Sequence, residues 1–192
     1  MGKVCFVTHP EVVVDPDRPV PRWRLAPDGI DRMRAFAESD TVRGTRAIWA
    51  SDETKAIEAA GILAGRLGLG VTVDAALREN DRSATGFLPP DAFERHADAF
   101  FARPEESVAG WERAVDAQAR GVAAFEAICA SAGEGDLAIV GHGGIGTLLL
   151  CHLLGVAIGR AHDQPFQGHC FTVDRASRRV LHRWRPIAPR RS

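Results

Sequence analysis

Two short apolar runs constrain this chain most, because each leads into a histidine. Lys3–Thr8 (KVCFVT) is followed by His9, and Leu137–Val140 (LAIV) by Gly141 and His142. Runs this short, stopped by Pro10 in one case and by glycines in the other, read as buried strands. Ala47–Ala50 (AIWA) and Val71–Val73 read the same way, and 169–173 with 179–184 reads as a closing hairpin. Helical spacing fills the intervals. Pro27 opens a helix carrying Ile30, Met33 and Ala37. Ser51 is expected to cap one with a stripe of Ile57, Ala60, Ala64 and Leu67 that Gly68 ends. A short helical stretch lies near 91–101. Ser107 is expected to cap a long helix through Val108, Trp111, Val115, Val122 and Phe125, and an apolar helix spans 145–154. Strands alternating with helices predict an α/β fold, a three-layer α/β/α sandwich around a mostly parallel sheet. A length of 192 residues fits a single domain, 1–192, with 78–106 as a segment covering the site and 185–192 as a basic tail.

Charge and spacing exclude several classes. The net charge is −1, but the seven arginines from Arg175 onward leave 17 basic against 25 acidic residues before them. An acidic body argues against a general polyanion binder, and no recognition module accompanies the tail, so no nucleic-acid partner is expected. Apolar stretches reach only about ten residues, half of what a membrane span needs. The N-terminus lacks the pattern of a signal peptide, so a cytoplasmic location is expected. Cys5, Cys129, Cys151 and Cys170 are scattered in apolar runs and read as reduced core residues. No HxH or HExxH spacing occurs, so no metal site is expected. Gly141-His-Gly143-Gly-Ile-Gly146 matches a dinucleotide fingerprint in form. The residues after it give no second strand ending in an acid, so no cofactor is expected.

In parallel α/β sheets, ligands sit beyond the carboxyl ends of the strands. Those ends carry Thr8 and His9, then Lys55, then Glu79, Asp81 and Arg82, then His142 with Gly143. Two histidines, a lysine and carboxylates converging there suit polar catalysis more than any single motif does.

Six landmarks in order carry a resemblance over nearly the whole chain. Phe6-Val-Thr-His9-Pro-Glu11 stands where a strand-end Arg-His-Gly-Glu is usual. Leu25-Ala-Pro-Asp-Gly29 is similar to Leu-Thr-x-x-Gly, and Ser51-Asp-Glu-Thr-Lys55-Ala to Ser-x-x-x-Arg-Ala. Leu77-Arg-Glu79 is similar to Leu-x-Glu, Glu106-Ser107 followed by Arg113 to Gly-Glu-Ser with its arginine, and Val140-Gly-His142-Gly-Gly to Val-Ser-His-Gly-Gly. Together they resemble the histidine phosphatase superfamily, with its phosphoglycerate-mutase-like fold.

The resemblance implies a metal-independent phosphomonoester hydrolase that works through a phosphohistidine. It implies His9 as nucleophile, Glu79 as proton donor with Asp81 as the fallback, and His142 as a stabiliser of developing charge. Thr8, Lys55, His142 and Gly143 would bind phosphate. The partner would be a small phosphorylated substrate or inorganic phosphate; a mutase would need more phosphate-binding charge than this set offers. Thr8 and Lys55 replace two arginines, and Pro10 replaces a glycine. A guanidinium clamps phosphate with two donors, whereas a hydroxyl offers one and an ammonium only a point charge. Two readings follow: Arg22, Arg24 or Arg82 compensates and catalysis persists, or the chain binds a phosphorylated or carboxylate ligand, or a protein partner, without catalysis.

Overall fold

β1 (Lys3–Thr8) is buried along almost its whole length and lies inside the sheet rather than at an edge. The computed structural model describes residues 2–190. It adds β2 (Thr45–Ala50), β3 (Val71–Val73), β4 (Asp136–Gly141), β5 (His169–Asp174) and β6 (Val180–Pro186), in the order β3-β2-β4-β1-β5-β6. The pairs β3·β2, β2·β4 and β4·β1 are parallel; β1·β5 and β5·β6 are antiparallel. The helices are α1 (Pro27–Ala37), α2 (Thr54–Leu67), α3 (Pro90–Ala102), α4 (Ala114–Ser131) and α5 (Gly143–Leu154).

The period-two alternation of β1 and β4 divides the core into two layers. Val4, Phe6, Leu137 and Ile139 face Phe125 and Ile128 of α4 and Leu148 and Leu149 of α5. Cys5, Val7, Ala138 and Val140 face Met33 and Phe36 of α1 and Ala59, Ala60 and Leu63 of α2. The three-layer α/β sandwich with a mostly parallel sheet is therefore the architecture observed. All four cysteines are buried and unpaired. Among the described residues, no helix is long and apolar enough to cross a membrane.

Local readings needed three corrections. Ser51 does not cap α2: Glu53 is the N-cap, and the Ser51 hydroxyl is turned toward His142 instead. Of the expected α2 stripe, Ala60 and Ala64 are buried but Ile57 is 40% exposed, and Ala56, Ala59 and Leu63 complete the stripe, whose small alanines suit close packing against α1 and the sheet. Ser107 opens only a 3-10 turn, Val108–Gly110, and α4 begins at Ala114. Ala109 at φ 52° and Gly110 at φ 81° break the helix, and the Ser107 hydroxyl closes the turn on Trp111 O at 2.7 Å. At the basic end, Arg185 lies in β6, Arg190 stacks on Phe166 and pairs with Glu11 at 3.3 Å, and Arg191 lies outside the described residues.

Two contacts fix the loop after β1. Ala26 N donates to Glu11 O at 2.8 Å, and a Cβ on Gly29 would lie 2.3 Å from the same carbonyl. The first turn of α1 can approach the loop this closely only with glycine at 29. Gly29→Ala should therefore destabilise the fold by roughly 1–3 kcal/mol, the usual range for overpacking. Chemical denaturation reads this as a lower midpoint at unchanged slope; an unchanged midpoint would contradict the close approach.

Candidate active site

The register Thr8↔Gly141 brings the ends of β1 and β4 side by side, so the next residues, His9 and His142, come together. Their ring centroids are 5.2 Å apart with planes inclined at 65°. The backbone of His9 is held on two sides: its N–H donates to Gly141 O and its carbonyl accepts Gly168 N–H, both at 3.1 Å. Behind this loop lies Arg32, a buried arginine of α1. It binds both Glu11 oxygens and donates to the carbonyls of Gln167, Gly168 and Ala188.

Hydrogen bonding sets both tautomers. His9 Nδ1 lies 2.9 Å from Pro10 O. A carbonyl only accepts, so Nδ1 carries the proton and Nε2 the free lone pair. Burial, aided by the Lys55 charge, lowers the His9 pKa to about 4, so the imidazole is neutral at pH 7. His142 Nε2 lies 2.8 Å from Ser51 Oγ. That oxygen accepts Glu53 N–H at 3.2 Å, and the proton of the fully buried Ser51 hydroxyl has no acceptor other than His142 Nε2 among the described residues. Nδ1 of His142 then carries the ring proton, and it is buried without a partner among the described residues. Burial also holds the His142 pKa well below its ordinary value, against the opposing pull of Glu53. An unpaired buried donor costs roughly 1–3 kcal/mol, which an incoming acceptor oxygen would recover.

Lys55, on the first turn of α2, is 3% exposed. Its ammonium donates to Val20 O at 3.0 Å and to Glu53 Oε2 at 2.5 Å. Glu53 went unnoticed in the sequence. Its carboxylate holds Lys55, stands 3.5 Å from His142 Nε2 and accepts Glu79 N–H at 3.0 Å. Burial works to raise its pKa, but His142, Lys55 and the Glu79 N–H outweigh it and bring the value to about 2. Nothing in Ser51-Asp-Glu-Thr-Lys55 distinguishes Glu53 from Asp52, which faces outward and pairs with Arg78.

Glu79 lies across the N-terminus of α5, where its oxygens accept Gly144 N–H at 2.9 Å and Ile145 N–H at 2.8 Å. Asp81 is turned away: its carboxylate caps Ser83 N–H in an exposed turn, which lowers its pKa. Arg82 makes no ion pair among the described residues. It lies over the rings of Phe93 and Trp111 at 5.1 and 5.5 Å, and its charge reaches both His9 and His142. Arg24 faces outward to Glu58, and Arg22 is exposed on the turn whose Val20 carbonyl receives Lys55. Thr8 is fully buried; its hydroxyl accepts His169 N–H at 3.0 Å and lies 2.7 Å from Gln164 Oε1. Gly143 is the first residue of α5. The structure thus gathers His9, His142, Lys55, Glu79 and Gly143, leaves Arg82 nearby, and excludes Asp81 and Arg24. Among the described residues, no group of three or more His, Cys, Asp or Glu side chains could hold a metal ion.

A family model described as histidine phosphatase superfamily (branch 1) matches residues 18–182. No curated protein sequence matches significantly. Among solved structures, a mycobacterial glucosyl-3-phosphoglycerate phosphatase complexed with VO3 is similar at TM-score 0.78 and 24% identity, covering 96% of each chain. The same phosphatase has also been solved with inorganic phosphate. "Mycobacterial hydrolase 2" is similar at TM-score 0.77 and 22% identity, over 100% of this chain and 92% of that one. Bacillus stearothermophilus YhfR is similar at TM-score 0.76 and 21% identity, over 95% of each. At these identities the likeness is one of fold.

The neutral His9 has a measurable consequence. In the unfolded chain a histidine titrates near 6.5, and in the folded chain His9 titrates at about 4. Between these values the unfolded state binds more protons, so the contribution is fully present above pH 6.5 and is lost as pH falls toward 4. Thermal unfolding should show stability falling through this window by an amount on the order of 3 kcal/mol. His9→Asn should make this fall shallower by about that amount, with the share from the depressed His142 remaining; an equally steep fall in that variant would contradict it.

Proposed function

The chain belongs to the histidine phosphatase superfamily, and we propose that it is a metal-independent phosphomonoester hydrolase acting through a phosphohistidine on His9. One observation carries the reading: a neutral His9, its Nδ1 proton tied to Pro10 O, presents the Nε2 lone pair beside a His142 whose Nδ1–H lacks an acceptor.

In the first half-reaction His9 Nε2 attacks phosphorus and the P–O ester bond breaks. The leaving oxygen takes a proton from Glu79, which must enter the step protonated. His142 Nδ1–H and Arg82 offset charge gathering on the phosphoryl oxygens. Water then attacks phosphorus, the P–N bond breaks, and Glu79 recovers a proton, releasing inorganic phosphate. Arg82 is the compensating cation in this reading, because it alone of the three candidates combines freedom from ion pairs with a charge felt by both histidines. Segment 78–106 supplies Arg82 and also Phe87, which packs on Trp23 with centroids 5.6 Å apart, and this supports reading the segment as the cover.

The pairing of Lys55 with Glu53 favours a second reading, a chain that binds a phosphorylated or carboxylate ligand without turnover, because it cancels the one lysine of the site. A panel of phosphate esters, assayed without added metal, separates the two. The wild type should hydrolyse an aryl phosphate and His9→Ala should lose all measurable turnover. Arg82→Ala should lower kcat/KM by roughly 10²–10³, the usual loss for one stabilising donor. An inactive wild type would favour the binding reading, and turnover surviving in His9→Ala would overturn the phosphohistidine.

A further inference from the structure

Position 8 is where the site departs most from the superfamily's pattern, and the structure fills the gap from another part of the chain. The Thr8 hydroxyl accepts His169 N–H at 3.0 Å. Its single proton has two acceptors in reach, Gln164 Oε1 at 2.7 Å and His169 O at 3.3 Å, and the shorter contact is to the glutamine. With Oε1 taking that proton, Nε2 is the end of the amide that faces away from Thr8. Nε2 is thereby turned to the start of α5: a Cβ on Gly143 would lie 2.5 Å from it, so only glycine at 143 admits the amide there. Nε2 meets no protein acceptor among the described residues, and Glu79 takes the N–H groups of Gly144 and Ile145 but not that of Gly143. An unused amide donor thus lies at the open end of the helix whose N-cap is His142, the residue with the unpartnered Nδ1.

We propose that Gln164 is a phosphate-binding residue, its Nε2 donating to a phosphoryl oxygen, with Thr8 as the positioning residue that aims it. The inference rests on the phosphatase reading above and adds to it that the donor usually supplied as a charged guanidinium is here a neutral amide delivered by the loop before β5. Replacing the amide should therefore weaken binding of phosphate itself, and restoring arginine at 8 should not help, because it would evict Gln164 and leave His169 N–H without an acceptor.

The test measures kcat and KM on an aryl phosphate and competitive inhibition by inorganic phosphate, on variants shown to be folded by thermal unfolding. Gln164→Leu should lower kcat/KM roughly hundredfold and weaken phosphate inhibition. Thr8→Val should lose part of this and Thr8→Ser should recover most of what Thr8→Val loses. The double variant Thr8→Val/Gln164→Leu should lose less than the sum of the two single losses, since both changes remove one device while Thr8→Val also frees His169 N–H. Thr8→Arg should lower activity. Wild-type kinetics and phosphate inhibition in Gln164→Leu, additive losses in the double variant, or a gain in Thr8→Arg would each overturn the role of Gln164 while leaving the phosphatase reading intact. A wild type with neither turnover nor phosphate binding would overturn both.

Discussion

Parallel pairing of β1 with β4, in the register that sets Thr8 against Gly141, is the constraint from which the site follows. Parallel strands end at the same edge, so residues far apart in sequence arrive as neighbours. His9 and His142 meet because neither strand has another place to go: β1 is flanked by β4 and β5, and both of its faces are covered by helices. The backbone of His9 is tied to Gly141 and Gly168, and Arg32 holds the Gly168 side of the loop with Glu11. The nucleophile role proposed for His9 needs this fixity, since small displacements are costly in rate.

The electrostatics of the site are set by a carboxylate rather than by a cation. Glu53 neutralises Lys55 and fixes the backbone of Glu79. Two neutral histidines and one internal ion pair leave Arg82, which makes no ion pair among the described residues, as the unpaired cation whose charge reaches both histidines. Its stacking on Phe93 and Trp111 places it through aromatic faces, which attract a guanidinium without cancelling its charge. In the proposed function such a pocket would recognise an anion through oriented donors more than through net charge, and a near-neutral whole chain is compatible with that.

Much of the fold was legible because its signals are local. The bounds of β1 and β3 follow directly from their apolar runs, and the alternation of strand and helix gives the layers. The strand-end rule also located His9 and His142, since it needs only strand direction. What escaped the sequence depends on contacts between distant residues. Glu53 and Asp52 are adjacent and alike until the fold buries one and exposes the other. Gln164 lies 156 residues from Thr8, in a loop without periodicity, and nothing in one dimension relates them. Ser107 misled because capping chemistry suits a 3-10 turn as well as a helix, and the positive φ of Ala109 and Gly110 decided between them.

The central claim is that His9 Nε2 carries the phosphoryl group. Mixing the protein with an aryl phosphate, quenching in alkali to preserve phosphohistidine, and locating the group by peptide mass spectrometry and ³¹P NMR tests this directly. The account predicts one phosphoryl group on the peptide containing His9, attached at Nε2, during turnover. Turnover with no phosphorylated histidine, or with the group on another residue or at Nδ1, would contradict it.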